Sequence, residues 1–505
     1  MSESIGDRTS LPKESTKRNR EMNRLSLAFL LFLMMGLAGG DSGAARAQQP
    51  QQQRPNVLVF VADDAGWRAA GAYGNEAIRT PTIDHLAETG LKVERAFLTI
   101  AQCSPSRISI LSGKYPHATG AEDLHMSTPD SLRLLPSYLS ERVGYYTGIM
   151  GKRHLGAEGS EQFDWYDAAD DHDFGAFSEF VSEAQEREQP FFMWTGFYDP
   201  HRSYDTTSAP SHDPSDVELT PYLRDTPATR EDRARYYDEI ARMDQNMGRM
   251  LQVLRRRGMR ENTLVVYLSD NGAPFPQAKG TVYDAGIRTP LIFSWPAQVE
   301  AGQVYDDGLV SAVDLAPTLL AMAGIEETPD PMQGRSMEKL LEAPAAYEGR
   351  DYVFAERNWH DCDEHIRAVR SARYKLVRTG DYTALPMCTA ADIAGSPSWF
   401  ALRRGWEDGA LTEAQRRTFE SPRPQIALYD LQADPWETKN VADEANHREA
   451  VGRLSGVLSD WMDDTNDFPP TVRWRPDATD RLTGVYFYDG IPPMRAPVRG
   501  AGEGQ

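Results

Sequence analysis

Cys103 opens the segment Cys-Ser-Pro-Ser-Arg at residues 103–107. A Cys entering a helix that Pro can begin lies at the positive end of the helix dipole, where anions also bind. On the residues alone Cys103 reads either as a buried structural thiol or as a thiolate nucleophile. The Asn and His that a thiol protease needs have no recognisable arrangement, however. Two further clusters offer hard oxygen donors: Asp63-Asp64, and Asp270-Asn271 followed by Gly272. Such donors on loops suit Ca²⁺ better than Zn²⁺, with Mg²⁺ as the alternative. Taken singly, each is an ordinary turn. Lys152 and His154 in Gly-Lys-Arg-His, His201 in Asp-Pro-His-Arg, and Lys279 add cations and proton carriers. Alone, each would be a solvated surface group.

The elements ahead of these clusters bring them together. Apolar runs at residues 57–62, 145–150, 190–197 and 263–268 lead directly into the Asp63, Lys152, His201 and Asp270 clusters, and residues 291–295 read as a further strand. Continuous apolar runs of this length suit strands buried on both faces of a parallel sheet covered by helices. Helical patterns fall between them at 82–89, 135–143, 229–257 and 313–323. The longest carries Tyr236, Ile240, Met243, Met247, Met250, Leu251 and Leu254 on one stripe, which reads as core. In open α/β sheets ligands bind beyond the carboxyl ends of the strands. Four polar clusters at four such ends predict an active site.

From residue 351 the pattern changes to short strands at 352–356, 366–370, 374–378 and 426–430, an antiparallel meander, with a helix over 448–463. The expected organisation is a catalytic domain at 54–350, a C-terminal subdomain at 351–467 and an irregular tail at 468–505. Lys17, Arg18, Arg20 and Arg24 precede an apolar run at 25–38 and a small-residue site, Ala45-Arg46-Ala47. This predicts a signal peptide over 1–47 and a polar linker at 48–53. The run is shorter than the ~20 residues of a membrane span. Export to the periplasm or medium, without stable membrane insertion after cleavage, is therefore expected. Of three cysteines, Cys362 and Cys388 are close in sequence and could pair, which would leave Cys103 free. The net charge of −21 argues against a nucleic-acid partner. It also requires any attraction for an anionic substrate to be local.

Residues 103–116, Cys-Ser-Pro-Ser-Arg-Ile-Ser-Ile-Leu-Ser-Gly-Lys-Tyr-Pro, resemble the signature of type I sulfatases. Residues 55–67, Pro-Asn-Val-Leu-Val-Phe-Val-Ala-Asp-Asp-Ala-Gly-Trp, are similar to the opening of that family. The resemblance implies an alkaline-phosphatase-like α/β sandwich with a central, mostly parallel sheet and a smaller C-terminal antiparallel sheet. It implies oxidation of Cys103 to formylglycine by a formylglycine-generating or sulfatase-maturating enzyme, the hydrated aldehyde being the nucleophile. Asp63, Asp64, Asp270 and Asn271, with position 103, would hold Ca²⁺. Arg107 would hold the hydrate, Lys152 would contact sulfate, and His154 would act as base. His201 would stand near the leaving group, and Lys279 would bind sulfate and help protonate the departing atom. Asp284-Ala285 departs from the Glu-Gly-Gly of many relatives.

Residues 197–202, 225–234 and 269–276 resemble the heparan N-sulfatase branch, although Lys279 stands where that branch carries Arg. Trp359-His360-Asp361 lies where that branch has a His-rich loop. His360 and Asp361 are thus candidate sugar contacts, or an ordinary surface turn. The substrate implied is a sulfated saccharide carrying N-sulfate on glucosamine. The alternatives are an exo-acting O-sulfatase, a phosphonate or phosphodiester hydrolase, and an unconverted glycan-binding protein.

Overall fold

The computed structural model describes residues 54–167, 174–204, 211–328, 330–380 and 383–469. The expected signal peptide and linker, and all but the first two residues of the expected tail, lie outside the described residues. The larger sheet contains β1 (Asn56–Ala62), β2 (Leu91–Phe97), β3 (Tyr146–Gly151), β4 (Trp165–Asp167), β5 (Phe191–Gly196), β6 (Thr263–Ser269), β7 (Arg288–Ser294), β8 (Gln303–Tyr305) and β9 (Val310–Ser311). Their order is β4-β3-β5-β1-β6-β7-β2-β8, with β9 also paired to β2. β3, β5, β1 and β6 are adjacent and parallel. The run expected at 291–295 is β7, which runs antiparallel to both its neighbours, β6 and β2.

The apolar runs form strands because both faces of the sheet are covered. Along β1, Val57, Val59 and Val61 join one hydrophobic core, and Leu58, Phe60 and Ala62 join the other. The first core includes Ile108, Ile110 and Leu111 of the helix Cys103–Ser112 and Leu319 and Leu320 of Leu315–Met322. The second includes Ile83 of Pro81–Glu88, Phe177 and Phe180 of Phe174–Glu186, and the whole expected stripe of the helix Pro227–Arg256. That long helix starts where Thr226 accepts a hydrogen bond from Thr229 N and Pro227 takes the first turn. A fully buried Leu or Phe side chain contributes about 1.5–3 kcal/mol, so these two layers dominate the stability of the fold.

β10 (Val353–Arg357), β11 (Ile366–Arg370), β12 (Tyr374–Thr379) and β13 (Ile426–Asp430) form a second, wholly antiparallel sheet in sequence order. The helix Arg448–Thr465 covers it, with Leu454, Leu458 and Trp461 packed on Val369 and Leu376. Charge ties this sheet to the larger one. Lys375 on β12 is fully buried and pairs with Asp284 and, at 2.8 Å, with Glu437. Arg370 adds a 3.2 Å contact to Asp284. The sequence departure at Asp284 is therefore an anchor for the second sheet: a carboxylate that burial alone would make hard to ionise is held well below its usual range by Arg370 and Lys375.

Candidate active site

Parallel register aligns the ends of four strands. Ala62 of β1 pairs with Ser269 of β6, Val61 with Gly196 of β5, and Gly196 with Gly151 of β3. Asp63-Asp64, Asp270-Asn271, Lys152 and the segment to His201 therefore leave the sheet at one level, as the spacing predicts. The helix Cys103–Ser112 brings its first residue to the same edge and ends at Gly113, whose φ of 66° suits glycine. Gly196 is required for a second reason. A Cβ there would lie 2.0 Å from Lys152 O and 2.6 Å from an Arg107 guanidinium nitrogen.

Three buried carboxylates each meet one buried cation. Lys152 Nζ donates to Asp63 Oδ2. Lys279 Nζ donates to Asp64 Oδ2 at 2.8 Å. Arg107 Nε donates to Asp270 Oδ2 at 2.7 Å, and a terminal nitrogen of the same guanidinium donates to Lys152 O at 2.6 Å. Cys103 is buried and unpaired, with Sγ 3.4 Å from Asp63 Oδ1, while Cys362 and Cys388 form a disulfide. Burial pushes the Cys103 thiol well up, so it stays protonated and is a poor thiolate nucleophile. Burial would also raise Asp63, but Lys152, His201, Arg107 and Lys279 hold it far below the carboxylate range. Asp270, where burial outweighs Arg107, is pushed up to about 6.

The donor set fits a hard divalent cation. Ligand atoms of Asp63, Cys103 and Asp270 lie within 4.8 Å of one another. Asn271 is fully buried: its amide nitrogen donates to Asp64 Oδ1, while its Oδ1 has no hydrogen-bond partner among the described residues. An orphaned, buried amide oxygen on a side chain that also contacts the Asp64 carboxylate fits the ligand set of a hard cation. Position 103 suits conversion to an aldehyde hydrate, since the hydroxyls that Sγ stands in for would meet Asp63 and the surrounding ammonium groups.

Two histidines flank the centre. His154 is pushed down to about 2 by burial and by Lys152, Arg107 and His125, so it is neutral. Its Nε2 shares a 2.6 Å hydrogen bond with His125 Nδ1, and its buried Nδ1 has no partner among the described residues. With Nε2 donating to His125, Nδ1 carries the lone pair and can accept a proton. His201 Nδ1 donates to Arg202 O, which leaves Nε2 facing Asp392 Oδ2 at 3.6 Å.

The loop at 359–361 is buried, so the surface-turn expectation is corrected: packing removes it from solvent. Trp359 packs with Cys103 and Leu124, and its backbone bonds to Leu124 N and the Asp123 carboxylate. His360 Nδ1 lies 2.9 Å from Asp361 Oδ2, and His360 Nε2 has no partner among the described residues.

Sequence reasoning missed Asp392, His125 and Gln102. Asp392 accepts a 2.8 Å bond from Lys279. Gln102 precedes Cys103 with its side-chain amide fully buried and without a hydrogen-bond partner among the described residues. Neither Asp392 nor His125 carries a spacing signature. Gln102 adjoins Cys103, and its position was the available signal.

Residues 55–325 match the sulfatase family, and residues 277–388 match the family described as N-sulphoglucosamine sulphohydrolase, C-terminal. The chain is 30% identical to the N-sulphoglucosamine sulphohydrolase of Homo sapiens, across 82% of this chain and 90% of that one. It is 29% identical to an ulvan-active sulfatase of Formosa agariphila, across 82% of this chain and 76% of that one. A solved structure in complex with its substrate, D-glucosamine-2-N,6-O-disulfate, shares the fold with a TM-score of 0.64 at 20% identity, covering 83% of this chain and 99% of that one.

Proposed function

The chain belongs to the sulfatase family, and we propose that it removes N-sulfate from glucosamine in a sulfated glycan, using formylglycine made from Cys103 and a Ca²⁺ ion. The family makes it a sulfate-ester or sulfamate hydrolase, and its fold is the alkaline-phosphatase-like one of its neighbours. One observation carries the chemical reading: three carboxylates, three cations and an unpaired cysteine meet at the ends of four parallel strands. The N-sulfate preference rests on the similarity to the human sulphohydrolase, which spans nearly all of that protein.

When present, the divalent ion supplies Lewis acidity at the sulfate oxygens and the hydrated aldehyde supplies the attacking hydroxyl. Asp63, Asp64, Asp270 and the Asn271 amide oxygen would hold the ion; Mg²⁺ satisfies the same donors. Every other part of the work belongs to the chain. Lys152, Lys279 and Arg107 place three positive charges where a sulfate anion sits, in a buried setting where such charges count for more than in water. Arg107 also holds Asp270, so the acceptor for the hydroxyl proton keeps its orientation. His154, neutral with Nδ1 open, takes the second proton when sulfate is released. His201 and Lys279 stand on the leaving-group side and protonate the departing nitrogen or oxygen. His360, whose buried Nε2 has no partner among the described residues and whose neighbour Trp359 packs on Cys103, is the proposed sugar contact, with Asp361 fixing its ring.

No helix among the described residues is long and apolar enough to cross a membrane. The basic, apolar and small-residue order of residues 1–47 supports export. An O-sulfatase on another polysaccharide is the second reading, favoured by the near-equal identity to the ulvan-active enzyme. Sulfate release from N-sulfoglucosamine and from glucosamine 6-O-sulfate separates the two. Release from the first alone supports the proposal, and release from the second alone overturns the N-sulfate assignment.

A further inference from the structure

Asp392 lies beyond residue 388, where the second family match ends, yet its carboxylate reaches the centre of the site. Oδ2 accepts from Lys279 Nζ at 2.8 Å and faces His201 Nε2 at 3.6 Å. Oδ1 is held by Ile393 N at 3.0 Å. The side chain is only 19% exposed. Burial alone would raise its pKa, but Lys279 and then His201 hold it well below the carboxylate range, so it is a fixed negative charge.

The segment carrying Asp392 is fastened to the candidate sugar-binding loop. The disulfide joins Cys388 to Cys362, and Ala391 N donates to Asp361 Oδ2 at 2.9 Å. Lys279 has a second carboxylate partner in Asp64. Asp64 is also a cation ligand in the proposed function, so with an ion held there Asp392 would remain the partner of Lys279.

We propose that Asp392 is a positioning residue for the leaving-group side of the reaction: one carboxylate oxygen holds Lys279 and faces His201, fixing both proton donors where the sugar departs. The inference rests on the roles given above to those two residues. As the bond from sulfur to the sugar nitrogen or oxygen breaks, its electron pair stays on that atom. A proton from Lys279 Nζ, or from His201 Nε2 when both ring nitrogens carry protons, joins it, so that a neutral amine or alcohol leaves. Without Asp392, Lys279 is free to settle on the sulfate or on Asp64, and His201 loses the group that faces its Nε2.

The consequence depends on the leaving group. A 4-nitrophenolate leaves without a proton, whereas unsubstituted phenolate needs more help and a sugar amine or alkoxide needs most. The test compares 4-nitrophenyl sulfate, phenyl sulfate and N-sulfoglucosamine on full-length enzyme whose Cys103 conversion is verified by mass. Positioning of a general acid is a part of the roughly 10²–10⁴-fold that such an acid supplies. Asp392→Asn is therefore expected to lose about threefold in kcat on 4-nitrophenyl sulfate and about 50-fold on phenyl sulfate, with KM little changed. Asp392→Glu keeps the charge and is expected to recover part of the phenyl sulfate loss. Equal losses on both aryl sulfates, or a loss confined to KM, overturn the inference while leaving the proposed function standing. Turnover of none of the three by the unsubstituted, converted enzyme overturns the proposed function and the inference with it.

Discussion

Removing the divalent cation should abolish sulfate release while leaving the protein folded. Each of the three ligand carboxylates already has its own cation: Asp63 with Lys152, Asp64 with Lys279, and Asp270 with Arg107. In the proposed function the ion would therefore bind a centre that is neutral by count, and its loss would leave no charge unpaired. Chelation then withdraws only the linkage term, about 2.7 kcal/mol when the ion had been present at about 100 times its Kd. Arg107→Met breaks this symmetry. It strands Asp270 in a fully buried position, and breaking a buried pair by removing one partner costs about 3–5 kcal/mol. In the variant the ion must compensate Asp270, so the variant should gain more stability from Ca²⁺ than the wild type does. The assay is thermal and urea unfolding of both proteins with excess Ca²⁺ and with chelator, read by circular dichroism beside sulfate release. Unfolding of the wild type on chelation would refute the one-to-one pairing. So would an Arg107→Met protein that loses the same stability with and without Ca²⁺.

Gly196→Ala should reduce turnover at least tenfold although Ala is the smallest change available, since the new methyl would lie 2.0 Å from Lys152 O and must displace Lys152 or Arg107; initial rates at saturating substrate check it. Lys375→Met should cost about 3–5 kcal/mol in urea unfolding, because it removes the ammonium paired with buried Glu437 and leaves Asp284 with Arg370 alone. His117 is partly buried and lies 3.0 Å from the fully buried carboxylate of Glu356. Burial opposes its charge, but Glu356 raises its pKa above the ordinary value. A raised histidine contributes stability that is fully present below its unfolded pKa of about 6.5 and is lost as pH rises through the folded value. The stability gap between wild type and His117→Asn should accordingly be wide at pH 6 and close towards alkaline pH. A gap that widens with rising pH would contradict that sign.

The parallel core was legible in the sequence because its strands are buried on both faces and read as unbroken apolar runs, as in Val57 to Ala62 and Leu264 to Leu268. β2 was not, because Lys92, Glu94 and Arg95 break its pattern; those residues are only half-buried, so apolar continuity is not required of them. The helix Phe174–Glu186 was missed although Phe177, Phe180 and Val181 lie on one face. The polar clusters were legible for a different reason: each follows a strand directly, so register alone delivers Asp63, Lys152, His201 and Asp270 to one edge. Asp392 had no such guide. It lies in Ala390-Ala391-Asp392-Ile393, far from the sheet in sequence, and reaches Lys279 only because a disulfide and the second sheet carry the segment there. His360 and Asp361 read equally as a surface turn, since their burial is a tertiary fact with no local pattern.

The central claim is that position 103 becomes the nucleophile of a sulfatase. The most direct measurement pairs the mass of the peptide spanning Cys103 with sulfate release from N-sulfoglucosamine, on protein made with and without a maturating enzyme. The account predicts an aldehyde in place of the thiol, with activity proportional to the converted fraction and absent from Cys103→Ala. Full activity from protein whose Cys103 remains a thiol, or from Cys103→Ala, would contradict it.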